Sequence, residues 1–236
     1  HTYYEQPHYL YESSLRFMSL LAGHFDDYIT HLYEASNSII RRDTSVCYFD
    51  CTNYYFEIET ADDDYVDEVT GEVSAALRKY GISKQHQPNP IVQMGLFLDG
   101  DGIPLAFNIF SGNKNEQPTL IPLEKQIIHD FGLSRFIVCT DAGLASMSNR
   151  RFNTLNDRSY VVTQSLKQLK NHLKEWALDC KGWHITNDPK VYDLSKIDDE
   201  KYYDTVFFKE RWINENGMEQ RLIVNYSPKY KAYERS

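Results

Sequence analysis

Two aspartates carry the chemistry this sequence offers most plainly. Asp50 sits late in the apolar run Ser-Val-Cys-Tyr-Phe-Asp-Cys-Thr (residues 45–52), and Asp141 directly follows a second short apolar run, residues 135–140. Two bare carboxylates a few ångströms apart repel, and one of them keeps its proton. A divalent cation removes that conflict. Hard oxygen donors suit Mg²⁺ or Mn²⁺, which bind through few protein carboxylates and keep sites open for water and phosphate oxygens. Two such ions, roughly 3.5–4 Å apart, serve both the attacking and the leaving oxygen of an in-line displacement at a phosphodiester. A third acid normally completes the second ion's shell. Taken singly, an Asp at a strand end is an ordinary cap or turn residue, so the pair gains meaning only if the fold brings its members together.

The elements that would do so are legible from periodicity. Residues 10–41, with Leu15, Met18, Leu21, Leu32 and Ile39 and few Gly or Pro, predict two helices broken near residues 23–27. Residues 45–52 predict a strand buried on both faces, with residues 54–59 continuing in the same style. Ile91–Leu98 and Ile103–Phe110 flank Asp99-Gly100-Asp101-Gly102, a hairpin signal. Residues 119–131 predict a helix stopped at Gly132, then a strand at 135–140, a helix at 146–155 and a strand at 160–163. Lys167–Trp176 reads as helix, with Lys167, Lys170 and Lys174 as one basic stripe, and residues 206–213 and 221–226 pair around Asn216-Gly217. Three strands in a meander followed by two helical crossovers close most simply as a mixed five-stranded sheet with flanking helices. If the fourth strand lies parallel beside the first, the chain order reverses between them, and Asp50 and Asp141 stand side by side at the switch point.

Composition sets the outer bounds. The chain has 236 residues and a net charge of −9, with 14% aromatic residues, among them 18 Tyr, a content that speaks against disorder. Ten acids and no Lys or Arg fall between Asp43 and Glu72, leaving 24 acids against 25 bases elsewhere. A near-neutral body with one acidic region is compatible with cation binding there and phosphate binding elsewhere, and the stretch 62–68 reads as a solvated loop. No apolar run approaches the ~18 residues of a membrane helix, so no membrane partner is expected. The four cysteines form no CxxC pair, which suits a reducing cytoplasm. A first residue of His1, with no leader after it, is expected of a piece cut from a longer chain.

Four sequence blocks occur in order. Asp50-Cys51-Thr52 has the form Asp-x-Thr; Gly81-x-Ser83-Lys84 follows. Gly102-Ile103-Pro104-Leu105-Ala106-Phe107 leads to Phe110-Ser111-Gly112-Asn113 and to Thr119-Leu120 with Pro122. Asp141-Ala142-Gly143-Leu144-Ala145-Ser146 with Asn149 closes the series. Together they resemble the DDE-type transposases of bacterial insertion sequences, in the broad IS-four-like group, over roughly residues 45–163. The resemblance implies an RNase H-like catalytic core at 43–165, preceded by a helical segment at 1–42. It also implies a β-rich insertion at 166–236, cut short before the helix that carries the third acid. It implies Asp50 and Asp141 as catalytic metal ligands for Mg²⁺ or Mn²⁺, in a two-metal site when complete. Cleavage and strand transfer at transposon ends would follow, with double-stranded DNA as partner, a homodimer acting on paired ends, and a bacterial cytoplasm, at the nucleoid, as location.

The chain departs from that pattern in two ways. No Tyr-x-x-Arg-x-x-x-Glu run is present, so the fragment is expected to bind metal weakly and cut poorly, and Gln87 stands where a basic residue usually follows Ser-Lys-x-His. Around the two acids, Thr52 and Asn113 are candidates to support the site by hydrogen bonds. Lys84, His86, Arg150 and Arg151 are candidates for DNA backbone contacts. Trp183 and Trp212 are read as core rather than as base-stacking platforms. Two rival readings remain. In one, the chain is a non-catalytic module whose acidic stretch binds a partner or Ca²⁺, with Asp62–Asp67 as ligands and Asp50 and Asp141 apart. In the other it is a plain metal-dependent nuclease of the same fold.

Overall fold

In the computed structural model, residues 10–235 are described, and the chain divides into two compact units, one ending at Thr163 and the other beginning at Gln164. The first opens on a helical pair, α1 (Tyr11–Gly23) and α2 (Phe25–Ile39). Strand β1 (Val46–Tyr55) follows, then a two-residue hairpin of β2 (Tyr65–Val66) and β3 (Val73–Ser74), and the meander strands β4 (Ile91–Leu98) and β5 (Pro104–Ser111). Helix α3 (Leu120–Phe131) crosses to β6 (Ile137–Thr140), and α4 (Met147–Phe152) crosses to β7 (Ser159–Val162).

The sheet order is β5-β4-β1-β6-β7. β1, β4 and β5 are antiparallel neighbours, while β6 and β7 run parallel to β1. This is the mixed five-stranded RNase H-like arrangement expected from the sequence, with the order reversing between β1 and β6. One face carries the core: Cys47, Phe49 and Cys51 of β1, Phe97 of β4 and Val138 of β6 pack with Ile29 of α2 and Leu120, Leu123 and Ile127 of α3. The alternation along β1 is strict, and the side chains between them, Tyr48, Asp50 and Tyr54, are exposed. The expectation that this strand is buried on both faces is therefore corrected, since the helices named here cover one face. The strand also ends at Tyr55, short of the predicted residue 59: Phe56 still donates in register to the Pro90 carbonyl (3.1 Å), but Pro90 has no N–H to return and the ladder stops.

The acidic stretch is built rather than loose. Asp62 pairs with Arg78, and Asp64 with Lys79 at 2.9 Å, across the β2–β3 hairpin. Those cations hold the Asp62 and Asp64 carboxyls below the usual carboxylate range. Helix α4 stops at Phe152 rather than 155: the next residues tighten, Thr154 and Leu155 donating to the Arg151 and Phe152 carbonyls three residues back (3.2 and 3.4 Å), before Asn156 and Asp157 take positive φ of 53° and 57°.

The second unit holds α5 (Asn171–Leu178), β8 (Trp183–Ile185), β9 (Asp188–Tyr192), β10 (Phe207–Glu215), β11 (Met218–Tyr226) and α6 (Pro228–Tyr233). Its sheet runs β11-β10-β8-β9 around Trp183, Tyr192 and Phe207. Glu215 opposes Met218, so Asn216 and Gly217 make a two-residue turn with φ of 52° and 80°, the left-handed pair such a hairpin requires. Two expectations fail here. Lys170 is extended and precedes α5, so Lys167 and Lys170 do not share a helix with Lys174. Trp212 is 70% exposed on β10, whereas Trp183 is in the core as read. No helix among the described residues is long and apolar enough to cross a membrane.

Candidate active site

The register of β1 and β6 bears directly on Asp50 and Asp141. β1 and β6 pair as Val46↔Ile137, Cys47↔Val138 and Tyr48↔Cys139. Continuing the same parallel register by two residues sets Asp141 opposite Asp50. Neighbouring strands lie ~4.8 Å apart, and opposed residues of parallel strands point to one face. That face is the exposed one, and both aspartates are exposed. The backbone of Asp141 is extended (φ −78°, ψ 179°) as it leaves β6. A Cβ on Gly143 would stand 3.3 Å from Asp141 Oδ1, so a residue without a side chain at 143 leaves that carboxylate room. Asp50 Oδ1 accepts the Cys51 N–H at 2.8 Å.

Around this pair the chain gathers one cation and one further acid. Lys84 donates its ammonium to the Cys51 carbonyl, one residue from Asp50, and stands 3.9 Å from Glu116 Oε1. Its backbone is pinned to β1, since Asn53 Oδ1 accepts the Lys84 N–H (3.2 Å) and Asn53 Nδ2 donates to the Ile82 carbonyl (3.3 Å). The segment that carries Glu116 rests on the same strand: Thr119 Oγ1 lies 3.5 Å from Cys51 Sγ. Asn149 then ties that segment to the one after Asp141, donating to the Gln117 and Leu144 carbonyls, each at 2.9 Å.

The remaining sequence candidates distribute unevenly. Thr52 is half-buried, two residues beyond Asp50 on the same face of β1. Asn113 accepts from Ser111 Oγ at 2.9 Å, a bond within its own loop rather than to Asp50. His86 is exposed in the turn after Lys84, with φ of 55°. Arg150 is half-buried and Arg151 exposed on α4, the helix that follows Asp141. Sequence reasoning passed over Glu116 and saw Asn149 only as part of a motif. Their spacing carries no period that marks a contact with β1 or with the Leu144 carbonyl.

An all-carboxylate pair with open positions fits Mg²⁺ or Mn²⁺ by donor type. Among the described residues, no three His, Cys, Asp or Glu side chains form a metal-holding group. The candidate site is therefore a pair of aspartates, with no third ligand gathered among the described residues.

No protein-family model and no curated protein matches the chain. Solved structures do. The chain is similar to a Mos1 transposase paired-end complex with left transposon end, at 15% identity and a TM-score of 0.32, over 69% of this chain and 45% of that one. It is similar to a Mos1 mariner paired-end complex with Mn, at 15% identity and 0.30, over 70% and 46%. A piggyBac transposase synaptic complex with hairpin DNA gives 9% and 0.39, over 77% and 33%. The chain thus spans less than half the length of these structures. The fold assigned above rests on the sheet order itself.

Proposed function

We propose that this chain is part of the catalytic core of a DDE-type DNA transposase, of the bacterial insertion-sequence kind that its sequence blocks resemble. The observation that carries the reading is the parallel register of β1 and β6, whose continuation two residues past Tyr48↔Cys139 would set Asp141 opposite Asp50, both of them exposed. Bound there, Mg²⁺ or Mn²⁺ would supply charge to the attacking and leaving oxygens of a phosphodiester exchange. Asp50 and Asp141 would hold the cation, and neither is required as a general base. Lys84, anchored on the Cys51 carbonyl, sets a positive charge at the rim where a DNA phosphate approaches. Arg150 and Arg151, on the helix after Asp141, would add contacts to the DNA backbone. The duplex is the substrate, two copies of the full-length protein act on paired ends, and the third acid comes from outside the Asp50–Asp141 pair. The Ca²⁺-module alternative is disfavoured because Asp62 and Asp64 are already engaged by Arg78 and Lys79.

The test is Mn²⁺ titration of this chain followed by electron spin resonance, with Asp50→Asn and Asp141→Asn as variants. The expected result is weak binding that each substitution lowers at least tenfold. Unchanged binding in both variants overturns the reading. Strand transfer of a pre-cut 3′ end by the full-length protein separates a transposase from a plain nuclease.

A further inference from the structure

Helix α3 buries a carboxyl group that the proposed chemistry does not use. Glu124 is fully buried, and its Oε1 accepts from Asn153 Nδ2 at 2.8 Å. Its second oxygen, Oε2, has no partner among the described residues, and neither does Asn153 Oδ1. Both atoms are acceptors, both are buried, and they belong to the two side chains already joined by one hydrogen bond. A single proton on Glu124 Oε2 satisfies both, because an un-ionised acid and an amide can pair through two hydrogen bonds in a ring. An ionised Glu124 leaves two buried acceptors unsatisfied, each at a cost comparable to a lost hydrogen bond.

The geometry points to Glu124 as a positioning residue that, as an un-ionised acid closing a ring with Asn153, holds the segment bearing Asp141 in place. The path is continuous. Asn153 Nδ2 also donates to the Asn149 carbonyl (3.2 Å), and Asn149 Nδ2 grips the Leu144 and Gln117 carbonyls on the two segments flanking the aspartate pair. The consequence for Asp141 rests on the functional reading above; the ring does not. Burial pushes the Glu124 carboxyl up from 4.5 to about 7, against the pull of the Asn153 hydrogen bond and the Arg158 charge. Arg158 lies ahead of β7, Asn153 follows α4, and from β1 the Cys47 thiol, itself pushed up to about 12 mainly by burial, faces the same group. A carboxyl with raised proton affinity in the folded state lends stability that is whole below pH 4.5 and is lost as pH rises through about 7.

Glu124→Gln supplies the test, since its amide closes the same ring without titrating. Between pH 5 and 8 the folding equilibrium of the wild type should fall by roughly 50- to 100-fold more than that of Glu124→Gln. Equal pH dependence in the two proteins overturns the ring. Should the variant fail to fold, the wild type decides alone. An infrared carbonyl band of an un-ionised carboxylic acid, present at pH 6 and gone by pH 8.5, supports the ring, and its absence at pH 6 overturns it. For positioning, Mn²⁺ alone is the probe. Glu124→Gln and wild type should bind it equally at pH 6, and the variant several-fold more tightly at pH 8. Equal binding at pH 8 overturns the positioning role. If neither protein binds Mn²⁺, the functional reading and the positioning role fall together, while the infrared and unfolding results still decide the ring.

Discussion

The buried pair Arg42–Asp99 gives the sharpest test of what holds the five-stranded sheet to its helices. Arg42 follows α2, and Asp99 opens the turn between β4 and β5, with side chains 2% and 0% exposed. The guanidinium donates to Asp99 Oδ2 at 2.5 Å, to the Ile103 and Pro104 carbonyls at 3.0 and 2.9 Å, and to Ser36 Oγ at 2.7 Å. Asp99 Oδ1 accepts the Asp101 and Ile103 N–H groups at 3.1 and 2.8 Å, so the pair is saturated with partners. Arg42→Met strands a carboxylate in the interior, and such a break costs about 3–5 kcal/mol. At about 2–4 °C per kcal/mol for a chain of this size, the melting temperature should drop by roughly 6–20 °C. Removing both charges, in Arg42→Met with Asp99→Leu, should recover much of that loss, because the pair itself contributes little net stability. Urea unfolding of the two single variants and the double variant measures the coupling. A loss below about 1 kcal/mol for Arg42→Met, or a double variant no better than the sum of its parts, would refute the argument.

Two further outcomes follow from the geometry. Cys47 and Cys51 are buried and their thiols are pushed up to about 12 and about 11, chiefly by burial, whereas Cys180 is exposed. Maleimide labelling of the native protein at pH 7.5, read by mass spectrometry, should modify Cys180 and spare the two β1 cysteines until the fold is opened with urea. A Cβ at Gly112 would come within 2.1 Å of the Ile91 carbonyl oxygen and 2.6 Å of that of Lys79, where no flexible side chain can yield. Gly112→Ala should therefore cost about 2–3 kcal/mol and speed amide exchange at Lys79 and Ile91, which bridge each other at 3.1 and 2.9 Å.

The order of strands and helices was legible because each has a clear period or stop. Residues 91–98 and the Asn216-Gly217 turn fall where their patterns put them, and the helix over 120–131 ends before Gly132. The parallel pairing of β1 with β6, on which the proposed Asp50–Asp141 pair depends, was legible from that order. What stayed hidden depends on contacts across long stretches of chain. Glu124 looks like an exposed helical acid until Asn153 is folded onto it, and Asp99 looks like a solvated turn residue until Arg42 reaches it. The acidic run is solvated as read, but its pairing with Arg78 and Lys79, which lie beyond its end, was hidden for the same reason. Trp212 was misplaced because an aromatic residue in a hairpin strand has two faces to choose from, and composition does not say which is covered.

β1 runs on to Tyr55, whereas its pairing with β6 stops at Tyr48 and β6 itself ends at Thr140, so beyond the level of Asp50 no strand of the sheet pairs with that flank. Bare flanks of this kind invite a foreign strand to add on. Here Asp50 occupies the Cys51 N–H and Lys84 its carbonyl, so the side chains that serve the candidate chemistry also plug a point of strand addition. Alanine at either position removes a guard against self-association along with a functional group, and inactivity in such a variant has to be separated from clumping by checking its size in solution. Asparagine at 50 keeps an acceptor for the Cys51 N–H and so isolates the chemical question.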